Sequence, residues 1–236
     1  MEDKLPETLD PCDLLRTIDS LHEADIRNGF FARWDGAAGT FRPVTSSEHL
    51  ADVASFALGI TVPQSIRIHF ETAKNLYAYA WFVYRFYPVA EQQALTSLEF
   101  ALRERLAAEI TQSSQVAVKL PRGLKKWLEE ARKRGVVSND RFSWTEERAL
   151  QRARQRAEFQ QIQEMQRLGL TTVAVDYSNL KLLPEDFDKD WIDTFIDTLP
   201  RIRNTYAHGS GVLHNAVLHT FEIVSELINQ LFVPAR

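Results

Sequence analysis

From about residue 64 to its end, this chain repeats apolar residues every three or four positions and interrupts the repeat with proline and glycine, a pattern that predicts helices. Phe70, Ala73, Leu76, Tyr77, Ala80, Phe82, Val83 and Phe86 predict one helix that is apolar on nearly every side, as a central buried helix is, and that stops or kinks at Pro88. Val89 to Leu106 predicts a neighbour packed against it. Leu95, Leu98, Ala101, Leu102 and Leu106 face inward there, and Glu99 and Arg103 have the spacing of a surface ion pair. Pro121 in a first turn and Gly135 as a left-handed stop bracket a shorter helix whose buried stripe is Leu124, Trp127, Leu128 and Ala131. Ser143 and Glu146 have the spacing of a capping box that opens a long helix to about Leu168. Its first half, poor in apolar residues and carrying Arg148, Arg152, Arg154 and Arg156, is expected to project into solvent or onto a partner. Pro184-Glu185-Asp186 opens another helix, with Phe187, Trp191, Phe195, Ile196, Leu199, Ile202 and Tyr206 at helical spacing, and a last helix is expected from about Val212 to Phe232.

The first 63 residues read differently. Leu14 to Leu21 predicts a short helix, Phe30 to Trp34 and Thr40 to Val44 flank a glycine-containing turn as a hairpin, and Leu50 to Leu58 is helical again. Thr171 to Tyr177 is strand-like and could pair with that hairpin. The expected fold is therefore mainly α: a helical bundle over residues 64–236, with a small mixed α/β N-terminal extension over residues 1–63. With 236 residues, 44% of them hydrophobic, and five Trp, the chain can bury a substantial core. Its apolar runs near the start are too short to span a bilayer, and a polar segment follows Met1 to Lys4, so a cytoplasmic protein is expected. A single cysteine, Cys12, excludes an internal disulfide and a cysteine-cluster metal site. The net charge of −4 argues against broad, sequence-independent coating of nucleic acid but leaves room for a local basic patch.

The run Arg203-Asn204-Thr205-Tyr206-Ala207-His208-Gly209 carries the most chemistry. It sets a permanent cation and a titratable imidazole at the end of an amphipathic helix. Arginine makes bidentate contacts with phosphate, and the negative end of the helix dipole favours protonated His208. Pro200 removes a backbone donor and predicts a kink or restart at Leu199. Asn204 and His208, four apart, share a helical face, whereas Arg203 and His208, five apart, stand about 140° around the axis. The two converge only if the backbone unwinds at Gly209 or a second subunit completes the site. A cation and an imidazole suit RNA cleavage without a metal, in which a ribose 2′-hydroxyl attacks its own phosphate and proton transfer contributes roughly 10²- to 10⁴-fold.

Arg203-Asn204-(three residues)-His208 resembles the R-N-x-x-x-H form of the motif of the HEPN superfamily, and Leu199-Pro200-Arg201-Ile202 and Ala207-His208-Gly209 resemble the way that motif is embedded in prokaryotic members. The resemblance covers residues 64–236 and implies a HEPN-like helical bundle. It further implies a metal-independent endoribonuclease without cofactor, of the kind found in toxin-antitoxin and antiviral defence systems. It implies catalytic roles for Arg203 and His208 and a supporting role for Asn204. RNA is the implied substrate, a homodimer the implied assembly, and an antitoxin or nucleotidyltransferase the implied further partner. Arg201 extends the positive charge toward the motif and is read as RNA-binding. The alternative is a HEPN-like module that binds RNA, nucleotide or protein without cutting it, and a plainer one has Arg203 and His208 simply complementing a helix end.

Other polar clusters carry less. Asp186, Asp188, Asp190 and Asp193 lie in the first turns of a helix, where acidic residues offset the dipole, and they do not gather on one face. His214 and His219 are five apart, a poor spacing for a zinc site, so no metal is assigned. His22, His49 and His69 stand alone. The dense aromatic run from Tyr77 to Tyr87 reads as core or dimer interface rather than a base-stacking platform, and Arg85 within it needs a carboxylate partner if buried.

Overall fold

The computed structural model describes residues 9–112, 119–207 and 214–233. Seven helices carry those residues: α1 (Ser46–Ala54), α2 (Gln64–Tyr79), α3 (Phe86–Gln112), α4 (Gly123–Lys133), α5 (Thr145–Leu168), α6 (Trp191–Ala207) and α7 (Leu218–Phe232). The fold is mainly α, as the periodicity predicts. α3 is the axis of the bundle, with α2, α4, α6 and α7 all packed against it. Leu95, Leu98, Ala101, Leu102 and Leu106 of α3 are fully buried among Ile66, Phe70 and Ala73 of α2 and Phe221, Val224 and Leu227 of α7. Burial of each large aliphatic or aromatic side chain contributes about 1.5–3 kcal/mol, and this one cluster reaches from Val53 to Leu231.

A two-stranded antiparallel hairpin, β1 (Ala32–Asp35) and β2 (Thr40–Pro43), lies where alternation and glycine placed it, with Trp34 opposite Phe41. Gly39 holds φ +63, a left-handed conformation that glycine adopts without penalty. The hairpin is tied to α1 by Arg33–Asp52 (2.6 Å) and Arg42–Glu48 (2.6 Å), and a Thr45–Glu48 capping box starts that helix. α1 in turn packs on α2 and α7.

The structure corrects several expected boundaries. The aromatic run is not one helix to Pro88: α2 ends at Tyr79, residues 80–85 turn, and Pro88 sits in the first turn of α3, where no intrahelical acceptor awaits its missing N–H. The turn is held from outside. Asp25 N–H and the Asn28 side chain donate to the Trp81 carbonyl (2.9 and 2.7 Å), and the Asp25 carboxylate accepts from Tyr84 N–H (3.1 Å). Leu14 to Leu21 is not helical; only Pro11–Asp13 forms a 3-10 turn, and Leu14, Leu15, Ile18 and Leu21 are exposed, so no buried face repays helix nucleation. Thr171 to Tyr177 forms no strand. Its chain lies against α5 instead, with the Tyr177 hydroxyl on Glu158 and Gln161 donating to the Asp176 carbonyl.

Similar shifts mark the helix ends. Pro121 precedes α4 rather than entering its first turn, while Gly135 takes the left-handed stop at φ +66. Ser143 forms no capping box with Glu146, because its N–H and hydroxyl both donate to Glu226 of α7. The arginine-rich first half of α5 docks on the protein instead of projecting: Ala149 and Ala153 are fully buried, and Arg148 and Arg152 stack over Trp191. Pro184–Asp186 is a separate 3-10 turn, and α6 starts at Trp191, capped by Asp190, which accepts from Asp193 N–H (2.9 Å). α7 starts at Leu218, later than expected.

Candidate functional site

α6 carries the motif, and it runs unbroken through Pro200 rather than restarting there. A proline inside a helix costs about 3 kcal/mol or more. Ile192, Phe195, Ile196 and Leu199 are all buried; at about 1.5–3 kcal/mol each they outweigh that cost and keep the segment helical. Arg203 is thereby delivered to the side of α3. Its guanidinium lies 3.1 Å from Oε2 of Glu99, an ion pair between α6 and α3 in place of the Glu99–Arg103 surface pair expected from spacing. Arg103 instead lies over the Phe100 ring, 5.5 Å from its centroid. Glu99 Oε2 is buried and near Arg203, yet no donor is aligned with it, so it accepts no hydrogen bond among the described residues.

Arg203 and Glu99 share an open cleft of about 410 Å³ with His69, Thr96, Phe100 and Arg103. His69 comes from α2, and its ring is fixed from beneath by α3. Nδ1 is 2.8 Å from the hydroxyl of the fully buried Ser97, and the Gln93 amide nitrogen lies 3.2 Å from Nδ1 and 3.3 Å from Nε2. The cleft thus holds two guanidinium groups, one carboxylate and one imidazole.

Asn204 and Arg201 are exposed and do not line this cleft. The helix explains their separation, since Arg201 stands about 200° and Asn204 about 100° around the axis from Arg203. Arg201 lies toward α4, close enough to the Lys125–Asp197 ion pair (2.8 Å) to act on both charges. Asp197 is held below the usual carboxylate range, first by Lys125 and then by Arg201. His208 and Gly209 lie outside the described residues.

A second polar cluster anchors both flanks of the motif. Glu91, on the first turns of α3, is buried, and it accepts from the Tyr206 hydroxyl near the end of α6 (2.7 Å) and from the Thr220 hydroxyl of α7. The Tyr206 hydroxyl also meets Nε2 of His214, which stands 3.7 Å from Glu91 Oε2. A hydroxyl has one hydrogen; spent on Glu91, it leaves the tyrosine oxygen to accept from His214 Nε2–H. Burial pushes the Tyr206 hydroxyl well above its ordinary pKa, and Glu91 pushes it further, so it remains a donor.

The other clusters resolve into structural roles. Asp186 closes its own turn and pairs with Arg156 (2.6 Å), while Asp190 and Asp193 both meet Arg132. His219 pairs with Glu222 on its own helix (3.0 Å), away from the bonds that His214 makes. Among the described residues no group of three or more His, Cys, Asp or Glu is placed to hold a metal ion. Among the described residues, too, no helix is long and apolar enough to cross a membrane. Tyr77, Tyr84 and Tyr87 of the aromatic run are buried, and Arg85 finds its carboxylate in Asp13. His49, with Nε2 2.8 Å from the Tyr77 carbonyl and its ring stacked on Tyr77, is held below its ordinary pKa chiefly by burial.

Sequence reasoning singled out Arg203 but passed over His69, Glu99, Arg103 and Glu91. His69 has the sequence context of any polar residue beside an apolar stripe, between Ile66 and Phe70. Only the packing of α2 and α6 on the same stretch of α3 gives it neighbours with chemistry. No protein-family model, curated protein or solved structure matches this chain.

Proposed function

We propose that this protein is a metal-independent endoribonuclease that cuts single-stranded RNA by attack of a ribose 2′-hydroxyl on the adjacent phosphate. The observation that supports it most is the setting of Arg203: a guanidinium steadied by a carboxylate from a neighbouring helix, opening onto a cleft with a second guanidinium. Such a pair suits a phosphodiester, whose charge grows on the nonbridging oxygens as the 2′-oxygen attacks. In this reading Arg203 binds the scissile phosphate and His208, which follows α6 by one residue in the chain, transfers protons. Asn204 and Arg201 face solvent and take the flanking nucleotides, and a second copy of the chain brings two motifs together. The biological role that fits is RNA damage as a toxin or antiviral effector, with an antitoxin or nucleotidyltransferase as partner.

Wild type, Arg203→Ala and His208→Ala incubated with mixed single-stranded RNAs in EDTA test the reading. Wild type should leave 2′,3′-cyclic phosphate ends, and each variant should lose cleavage by at least about 10²-fold with an unchanged circular-dichroism spectrum. Unchanged cleavage by His208→Ala would refute the assignment. RNA retained on a gel with its ends intact, by wild type and variants alike, would instead favour the binding module, for which the ion pair that already occupies Arg203 is the supporting observation.

A further inference from the structure

The four arginines that make the first half of α5 basic are already engaged. Arg148 and Arg152 lie over Trp191, Arg154 lies over Tyr177, and Arg156 pairs with Asp186 (2.6 Å). The local basic patch that the net charge leaves room for lies instead on α4. An open cleft of about 500 Å³ is lined there by Lys119, Arg122, Lys126 and Lys133, together with Leu120 and Pro121. Two carboxylates share that lining, and both have partners: Glu129 pairs with Lys126 (2.7 Å) and Glu130 with Arg134 (2.6 Å). Lys119, Arg122 and Lys133 are exposed, and their side chains have no carboxylate or hydrogen-bond partner among the described residues. Lys133 also borders the neighbouring cleft, where Asp197 and Asp193 are likewise taken, by Lys125 (2.8 Å) and Arg132 (2.7 Å). Those two ion pairs set α4 and α6 antiparallel, so Arg201, one turn past Asp197, is level with the start of α4. Arg201 too is exposed and makes no ion pair among the described residues.

We infer that this face of α4, with Arg201 beside its first turn, is a track for the sugar-phosphate backbone of a single-stranded RNA. The inference rests on the ribonuclease reading for its ligand, and deepens it by assigning a surface that holds the strand outside the Arg203 cleft. Four cations without carboxylates leave an excess of positive charge that an outside anion offsets. Their arrangement selects the kind of anion. Arg122 and Lys133 stand about 16 Å apart along the helix axis, too far to converge on one phosphate and suited to successive phosphates of one strand. A bilayer is a poorer fit: among the described residues Leu120 is the one exposed large apolar side chain bordering the cleft, and none stands on α4 itself to enter lipid. Contacts of this type go to phosphate and carry no base preference.

The test measures binding of the full chain to a mixed-sequence 2′-O-methyl RNA strand, which cannot be cut, by fluorescence anisotropy in EDTA over a series of salt concentrations. Log affinity should fall linearly with log salt, each phosphate contact on a single strand contributing about 0.7 to the slope. A triple variant, Lys119→Gln with Arg122→Gln and Lys133→Gln, should therefore lower the slope by about 2. It should also bind at least about tenfold more weakly at low salt, equally for strands of different sequence, with an unchanged circular-dichroism spectrum. Arg201→Gln should lower the slope by about 0.7. Arg167→Gln, which removes an exposed cation paired with Glu164 on α5, should leave slope and affinity as they are in wild type. A triple variant whose slope and affinity match those of wild type would overturn the track, as would tighter binding to phosphatidylserine vesicles or to polyglutamate than to the strand. Wild type that binds through α4 yet leaves a cleavable RNA intact would keep the track and refute the nuclease. Cleavage lost in Arg203→Ala, with binding untouched in the triple variant, would do the reverse.

Discussion

Removing the Tyr206 hydroxyl should measurably loosen the end of α6, because that hydroxyl is one of two hydrogen-bond donors to the buried Glu91 carboxylate among the described residues. A hydrogen bond to a charged group contributes about 1.5–3 kcal/mol, and two features of the cluster favour the lower half of that range. Tyr206 is only half-buried, and His214 Nε2, already 3.7 Å from Glu91 Oε2, can move in when the tyrosine oxygen is gone. Tyr206→Phe should therefore cost about 1.5–2 kcal/mol. For a chain of this length, that lowers the melting temperature by about 3–8 °C. Glu91→Met should cost more, since it strands the Thr220 hydroxyl as well. The decisive quantity is the coupling in a double-mutant cycle of Tyr206→Phe with Glu91→Met, read by urea unfolding monitored by circular dichroism. A coupling of about 1.5 kcal/mol is expected; additivity within about 0.5 kcal/mol would mean that the two groups do not stabilise each other and would refute the argument.

Two further outcomes follow from the core. Phe221 is fully buried among the rings of Phe56, Phe70 and Tyr77, so Phe221→Ala should destabilise by about 3–5 kcal/mol, seen as a lower urea midpoint at unchanged slope. A cost under about 1 kcal/mol would mean that the cluster repacks. Tyr77, Tyr87 and Tyr206 are all pushed above the ordinary value of 10.0, in each case first by burial. Their folded pKa values exceed their unfolded ones, so the stability they contribute is fully present below pH 10 and is lost as pH rises beyond it. Thermal melts should fall steadily above about pH 10, and tyrosinate absorbance from these residues should appear only with unfolding; ionisation of all six tyrosines in the still-folded protein near pH 10 would contradict the burial argument.

How much of this was legible beforehand depended on where each residue's partner lies. The stripe of α4 could be read from Leu124, Trp127, Leu128 and Ala131, all of which are buried, because a helix face is a local pattern. The break after Tyr79 could not. It is imposed by Asp25 and Asn28, more than 50 positions away, and the aromatic residues of the turn keep the composition of a helix. Glu99 illustrates the same limit: a local partner at the right spacing, Arg103, loses to Arg203 from across the bundle. Arg203 could be picked out because its motif is linear. His69 could not, since nothing within its own helix distinguishes it from a solvated polar residue. Pro200 does not restart the helix for a related reason: the local rule for proline is sound, and four buried side chains on α6 outweigh it.

Glu91 meets Tyr206 from 115 positions away and Thr220 from 129. A pattern scan reads neighbours in order and has no access to such a triangle. Divergence does register it, because a change at Glu91 strands two hydroxyls at once, whereas a change at Arg203, which pairs with Glu99, strands neither. In a distant relative, then, Glu91, Tyr206 and Thr220 should be kept or exchanged as a set. On the proposed ribonuclease reading, Arg203 and His208 can be lost separately by a lineage that keeps the architecture and gives up cutting. The triangle would identify kinship, and the motif would sort the kin by what they still do.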